Sequence, residues 1–290
     1  MLFDSFYAIL IKKMPNDTKN RGVILGQRNT DWQAGAISGI AYEELNPSGD
    51  WTQWLPKEEW QWKDNGFDTL ACVTFSALNI IESLYYFHTG RQVNYSDRYS
   101  AFMSGTTSNG NWQWKVGDSI RKDGLVLEEE WPMIDNPSWD TYYAVPPIEV
   151  INKAKDFLKD WQVNYEFIDF TKESLIKHLK QAPIQVVFPN HAVMLFATTE
   201  QVYRYFDSYL PFIKERSEGF ITAMKLTLTK KNMRLKLVRE KNRNAVYAII
   251  SGKYYWISAE AMGDLIGEGL ASWEDVVETE VKIELEGVIK

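Results

Sequence analysis

The sequence predicts an α+β fold. Three observations carry that expectation. Apolar residues recur at helical spacing in the first half of the chain. β-branched and aromatic runs, separated by turn residues, fill the second half. The two kinds of segment do not alternate as they would around a doubly wound parallel sheet.

Taken in order, the first 60 residues read as mostly irregular. Asn46-Pro47-Ser48-Gly49-Asp50 is a turn cluster, and Trp51, Trp54, Trp60 and Trp62 crowd around Leu55-Pro56. A long helix is expected from Cys72, with Leu78, Ile81, Leu84 and Tyr85 on one face and Ile80 and Phe87 widening it. Asp68 or Thr69 is the expected N-cap, and Gly90 the stop. A second helix is expected over about 147–159. A third runs from the cap Thr171 through Leu175, Ile176 and Leu179 until Pro183 ends it. Strands follow at 184–188, 192–196 and 202–206.

The pattern changes after Thr229-Lys230-Lys231-Asn232. Strands are expected at 235–239 and 245–250, a tight turn at Ser251-Gly252, a return strand at 254–257 and a short helix at 259–266. The chain therefore reads as an N-terminal extension (1–54) packed on the core, a main domain (55–229) and a small β-rich C-terminal module (230–290).

Composition excludes several function classes. With 45% apolar and 24% charged residues in 290, the chain is globular and neither disordered nor low-complexity. A net charge of −7 argues against nucleic-acid or anionic-membrane partners. No apolar run approaches the roughly 20 residues that span a bilayer. From Met1 to Lys13 an acid precedes the apolar stretch and lysines follow it, the reverse of a secretory signal, so no signal peptide is expected. One cysteine forms no internal disulfide, which suits a reducing compartment. One Cys and three scattered histidines, His88, His178 and His191, give no metal-ligand spacing; neither metal nor cofactor is expected.

The single thiol is the first candidate for chemistry. A free cysteine is commonly a small buried hydrophobe. Cys72, however, opens a helix, where unpaired N–H groups favour thiolate and can bind a developing oxyanion. A nucleophile needs a base and a group to orient it. His191 begins one strand and Asp207 ends the next, so a short turn between antiparallel strands can bring them together. The plain alternative for His191 is a capped strand-end histidine. His88 at a helix end reads as a dipole contact, and His178 between Lys177 and Lys180 as solvent-exposed. The tryptophans before Cys72 allow a carbohydrate- or peptide-binding reading beside the commoner one of packing a loop onto the core. The acidic runs Glu128-Glu129-Glu130 and Glu274-Asp275 read as solvated faces.

These residues resemble a family. Cys72-Val73-Thr74-Phe75-Ser76 is similar to the nucleophile segment of papain-like cysteine peptidases, usually Cys-Trp-Ala-Phe-Ser. Asn190-His191-Ala192-Val193 resembles their histidine segment, and Asp207-Ser208-Tyr209 their Asn-Ser-Trp. Asp207 falls within the interval of about 130–150 residues downstream of the thiol, and His191 just short of it. Ser108-Asn109-Gly110-Asn111-Trp112 resembles the Cys-Asn-Gly-Gly stretch that lines the family's cleft, and Gly124 to Pro132 resembles its "Gly…Glu…Tyr-Pro" stretch. The likeness covers about residues 55–228. Gly66 to Asn79, and upstream Asp31-Trp32-Gln33-Ala34-Gly35, look closest to papain-like proteins of bacteriophages.

The resemblance implies a papain-like fold. A helical half would carry Cys72, and an antiparallel, barrel-like half would carry His191 and Asp207. It implies a catalytic triad of these three residues, substrate contacts at Asn109, Gly110, Asn111 and Trp112, and a peptide or protein substrate. The family's oxyanion Gln lies six residues before the thiol, where this chain has Gly66; Gln61 and Asn65 are the replacements at hand. Asp207 stands for Asn, Tyr209 for the shielding Trp and Asn111 for the second cleft Gly. Three functions remain open: a cysteine peptidase, a catalytically inactive structural or virion-associated descendant, and an amidase acting on cell-wall peptides. The phage likeness adds an expected location in the host cytoplasm, packaged in or attached to a virion beside other virion proteins.

Overall fold

The computed structural model describes residues 22–25, 44–231, 236–241, 244–250, 253–267, 271–279 and 285–289. The N-terminal stretch from Met1 to Lys13, the phage-like Asp31–Gly35 segment and the Ser251-Gly252 turn lie outside them.

Helix α1 (Cys72–Thr89) is mostly apolar in its first three turns, with Glu82 its only charged residue there, and such a helix belongs inside. Every residue from Cys72 to Leu84 is buried. Gly90 stops it in the left-handed region (φ 69°), its N–H donating to Tyr86 O at 2.8 Å. The N-terminus differs from expectation: the cap is Ala71, with no side-chain bond. Asp68 Oδ1 is instead held by the Leu70 N–H (3.0 Å) and Gln61 Nε2 (2.9 Å), because Leu70 turns the chain at φ 53° before the helix starts.

Among the described residues further helices follow: α2 (Asp97–Met103) and α3 (Gln113–Asp123), which pack on α1, then α4 (Trp139–Tyr142), α5 (Ile148–Asp160) and α6 (Lys172–Leu179). Helices α5 and α6 fall where periodicity puts them, with Thr171 capping α6 through Ser174 N. Helices α2 to α4 lie outside the segments that helical periodicity picks out. In α3 only Val116 and Ile120 are apolar at helical spacing, and its close approach to the sheet rests on Gly117, where a Cβ would come 2.9 Å from the Tyr165 ring.

The main sheet has six antiparallel strands: β1 (Trp161–Ile168), β2 (Ile184–Phe188), β3 (His191–Thr198), β4 (Tyr203–Phe206), β5 (Ile213–Arg216) and β6 (Thr222–Lys230). Their order is β1-β6-β2-β3-β4-β5, an open sheet with β1 and β5 at its edges. Strands β2 to β4 match the sequence reading; β1, β5 and β6 extend it. Helix α1 packs on β3 and β6, and their side chains form one core reaching from Val23 to Leu228. Trp51 is fully buried there, its Nε1–H donating to Leu179 O, and it meets Trp54 and Phe87 ring to ring. These tryptophans pack a loop onto the core.

The remaining strands are β7 (Lys236–Glu240), β8 (Val246–Ile250), β9 (Lys253–Ile257), β10 (Val276–Thr279) and β11 (Leu285–Ile289). They form a second sheet in the order β10-β7-β8-β9-β11, with β10 and β11 parallel to their neighbours. Helix α7 (Ala259–Gly267) contributes Ala261 and Met262 to this sheet's own core with Leu237, Val246, Ala248, Ile257 and Ala271.

Two polar placements depart from the sequence reading. His178 is half-buried, its Nδ1 3.4 Å from Lys225 Nζ. Glu128 turns inward and accepts the Met133 N–H. It joins Glu59, Glu82 and Asp97 in a carboxyl cluster beside α1. Burial pushes all three of Glu82, Asp97 and Glu128 upward, the Glu59 charge adds to it, and Glu128 reaches about 7. A carboxyl raised in the folded state stabilises most below its unfolded value and loses that contribution as pH rises through the folded one. The midpoint temperature should therefore fall between pH 4.5 and 7, with Glu128 contributing on the order of 3 kcal/mol. Glu128→Gln should flatten this slope in thermal melts; an unchanged slope would refute the assignment.

Candidate active site

The β2–β3 hairpin has a two-residue loop. Pro189 presets one turn position and Asn190 adopts φ 68°, so β3 begins at His191 directly opposite Phe188. Strand β4 returns alongside β3 and ends at Phe206, which delivers Asp207 beside the histidine. Helix α1 enters from the other half of the chain. Its first turn is pinned by the buried Gln185 of β2, whose Nε2 donates to Val73 O (2.7 Å) and Ser76 Oγ (2.8 Å).

This framework brings the sequence-predicted trio into one place. His191 Nε2 and Asp207 Oδ1 are 2.7 Å apart, with both side chains only 2% exposed. The Ala192 N–H, one residue beyond the histidine, points at Cys72 Sγ at 3.4 Å. His191 Nδ1 has no hydrogen-bond partner among the described residues. Cys72 is itself completely buried.

Asp207 has a second ionic partner that the sequence did not reveal. Lys214, on β5, donates to Oδ2 at 2.8 Å, while the Tyr209 N–H donates to Oδ1 at 3.1 Å. Burial alone would raise this carboxyl. Its interactions with His191 and Lys214, hydrogen bonds to both included, outweigh that and hold the value at about 2. A lysine two residues into an edge strand carries no local signal; only the β4–β5 register places it there.

The proposed oxyanion donors separate. Gln61 is fully buried beside the trio: Nε2 donates to Tyr209 Oη (2.7 Å) and to Asp68 Oδ1 (2.9 Å), and Oε1 accepts Ser208 Oγ–H. Tyr209 in turn sits edge-on to the His191 ring, centroids 5.3 Å apart. Asn65 is turned elsewhere, its Nδ2 donating to Pro137 O and its Oδ1 accepting the Phe67 N–H.

Among the predicted cleft residues, Asn109 is exposed and Gly110 turns at φ 90°. Asn111 is buried, with Nδ2 held by Ser104 and Thr106, and half-buried Trp112 opens α3 with the Lys115 ammonium 4.3 Å from its ring centroid. The Asn111 backbone is already paired. It donates to Gly22 O (2.9 Å) and accepts the Ile24 N–H (2.8 Å), a parallel bridge centred on Val23. Gly22 also lies against Leu70, two residues before the thiol: a Cβ there would be 1.8 Å from Leu70 O. Residues 22–25 thus run as a strap along the predicted cleft.

No protein-family model matches the sequence, and no curated protein matches it. Solved structures of similar shape include the ragweed pollen cysteine protease Amb a 11 in its proform, at 16% identity and TM-score 0.45, over 60% of this chain and 64% of that one. Digestive procathepsin L 3 from the larval midgut of Tenebrio molitor aligns at 15% identity and TM-score 0.47, over 72% and 76% of the two chains. The Carica candamarcensis cysteine protease CMS1MS2, in complex with E-64, aligns at 13% identity and TM-score 0.44, over 61% and 96%.

Proposed function

We propose that the protein is a papain-like cysteine peptidase whose cleft is occupied by its own strap. One observation carries the reading: a buried His191–Asp207 pair at 2.7 Å, with the amide next to that histidine on the only thiol in the chain. Asp207 takes the Nε2–H, which leaves Nδ1 as the nitrogen that removes the thiol proton. Sγ then attacks the amide carbon, the C–N bond breaks, and the imidazolium proton passes to the leaving amine. Water, deprotonated by the same nitrogen, hydrolyses the thioester. The Cys72 N–H, at the start of α1, donates to the oxyanion. Gln61 becomes a second donor by exchanging its bond to Tyr209.

The test uses unstructured peptides of mixed sequence, incubated with the full chain and with a Gly22→Val variant that displaces the strap. Cleavage is expected together with a mass adduct on Cys72, and both should vanish in Cys72→Ala. Equal cleavage with and without the thiol would refute the reading. The same trio serves an amidase acting on cell-wall peptides, which profiling with such peptides distinguishes.

The complete burial of Cys72 favours a second reading: an inactive structural protein of a bacteriophage virion, made in the host cytoplasm, whose partners are other virion proteins. On that reading Cys72→Ala changes nothing, and removal of residues 230–290 abolishes assembly.

A further inference from the structure

Asp207 is held from two sides. Its Oδ1 faces His191 Nε2 and its Oδ2 faces Lys214 Nζ, at 2.7 and 2.8 Å. A carboxylate buried beside a base orients it well, but its full negative charge also favours the imidazolium. An imidazole kept charged too firmly is a poor acceptor for a thiol proton. A cation on the far oxygen cancels that charge while leaving the near oxygen as a hydrogen-bond acceptor. From this geometry we infer that Lys214 is a positioning and charge-setting residue: it makes the Asp207 carboxylate act on His191 as a neutral orienting group. The inference rests on the reading of His191 as the base.

The placement is built into the hairpin. The Asp207 N–H donates to Phe212 O at 2.7 Å and closes the turn, and β5 pairs with β4 so that Lys214 lies opposite Tyr205. The Lys214 side chain is 21% exposed and Asp207 only 2%, so the lysine enters from the surface and keeps part of its hydration. Other charges around the ring come from every packed element. Helix α1 supplies Cys72. The loop before it supplies Asp68, which accepts Tyr209 Oη–H. Tyr143, at the end of α4, donates to Thr69 O. On β5 Arg216 stacks over Phe188, whose ring meets His191. Lys214 is the cation bonded to the orienting carboxylate.

The test is a pH titration of the His191 ring signal by NMR, in wild type and in Lys214→Met and Lys214→Arg, with signals assigned against His88→Asn and His178→Asn. Lys214→Met should move the titration midpoint upward by about one pH unit, the effect of removing one unit charge at close range in a partly screened site. Lys214→Arg, which restores the cation, should return it to within a few tenths of wild type. If peptides are cleaved, both limbs of the activity profile should move upward with it. A Lys214→Met midpoint superimposed on wild type overturns the inference. A lysine that only braces the hairpin would lower the melting temperature and leave the midpoint in place. The ring titration needs no turnover, so failure of the peptidase reading shows separately, as absent cleavage beside a shifted midpoint.

Discussion

Asp207→Asn should lower the rate of the chemistry proposed for Cys72 by roughly 10³–10⁴-fold, the size of effect seen when a triad loses its orienting carboxylate. Asn is the residue that the family resemblance leads one to expect here, yet the surroundings of this chain reject it. Oδ1 accepts from His191 Nε2 and Oδ2 accepts from Lys214 Nζ. An amide has a single oxygen. With that oxygen toward His191, its NH2 meets the Lys214 ammonium, donor against donor. Flipped, its NH2 meets Nε2 and forces the proton to Nδ1, the nitrogen required to be bare. The double variant Asp207→Asn/Lys214→Met removes the clash and should recover most of the loss, a coupling measurable as a double-mutant cycle on rate and on melting temperature. Simple additivity of the two changes would refute this account. The wild-type carboxyl also contributes about 2 kcal/mol above its unfolded range, lost as pH falls from near 4 through about 2.

The second large effect concerns the strap. Gly22 adopts φ 112°, where a side chain is strained, and a Cβ would stand 1.8 Å from the backbone oxygen of Leu70. The Leu70 backbone has little room to move, because its N–H is tied to Asp68 and its neighbours lead into buried α1. Gly22→Val is therefore expected to lift residues 22–25 off Asn111 and break both backbone hydrogen bonds there. Loss of two such bonds, at about 0.5–1.5 kcal/mol each, shifts the occupancy of the strap by about 5- to 150-fold. Iodoacetamide should label Cys72 in the variant correspondingly faster than in wild type, and the gain should disappear when His191→Ala is added. Equal labelling of wild type and Gly22→Val would show that the strap does not govern access to the thiol.

Much of this molecule was legible in the linear order of residues. A stripe of Leu78, Ile81, Leu84 and Tyr85 can bury itself only as a helix, and runs such as Ile184–Phe188 only as strands, so the α+β class follows from local periodicity. The loop Pro189-Asn190 likewise declares its hairpin, which puts His191 at a strand start. Periodicity fails for α3, which is polar along most of its length and rests on Gly117 fitting against Tyr165, and for β6, whose pairing with both β1 and β2 is long-range.

The candidate site divides the same way. Cys72, His191 and Asp207 announce themselves by residue type, by position at element ends and by resemblance. Their surroundings do not. The Lys214 contact depends on strand register, the inward turn of Glu128 on a cluster drawn from four separate segments, and the Val23–Asn111 bridge on tertiary placement of the N-terminal strap. Sequence alone determined which groups are available and which elements carry them, because those follow from local backbone preference and apolar pattern. Only the tertiary structure decided their charge state and accessibility, because both depend on what distant parts of the chain bring within about 3–4 Å, where electrostatic and hydrogen-bond energies are large.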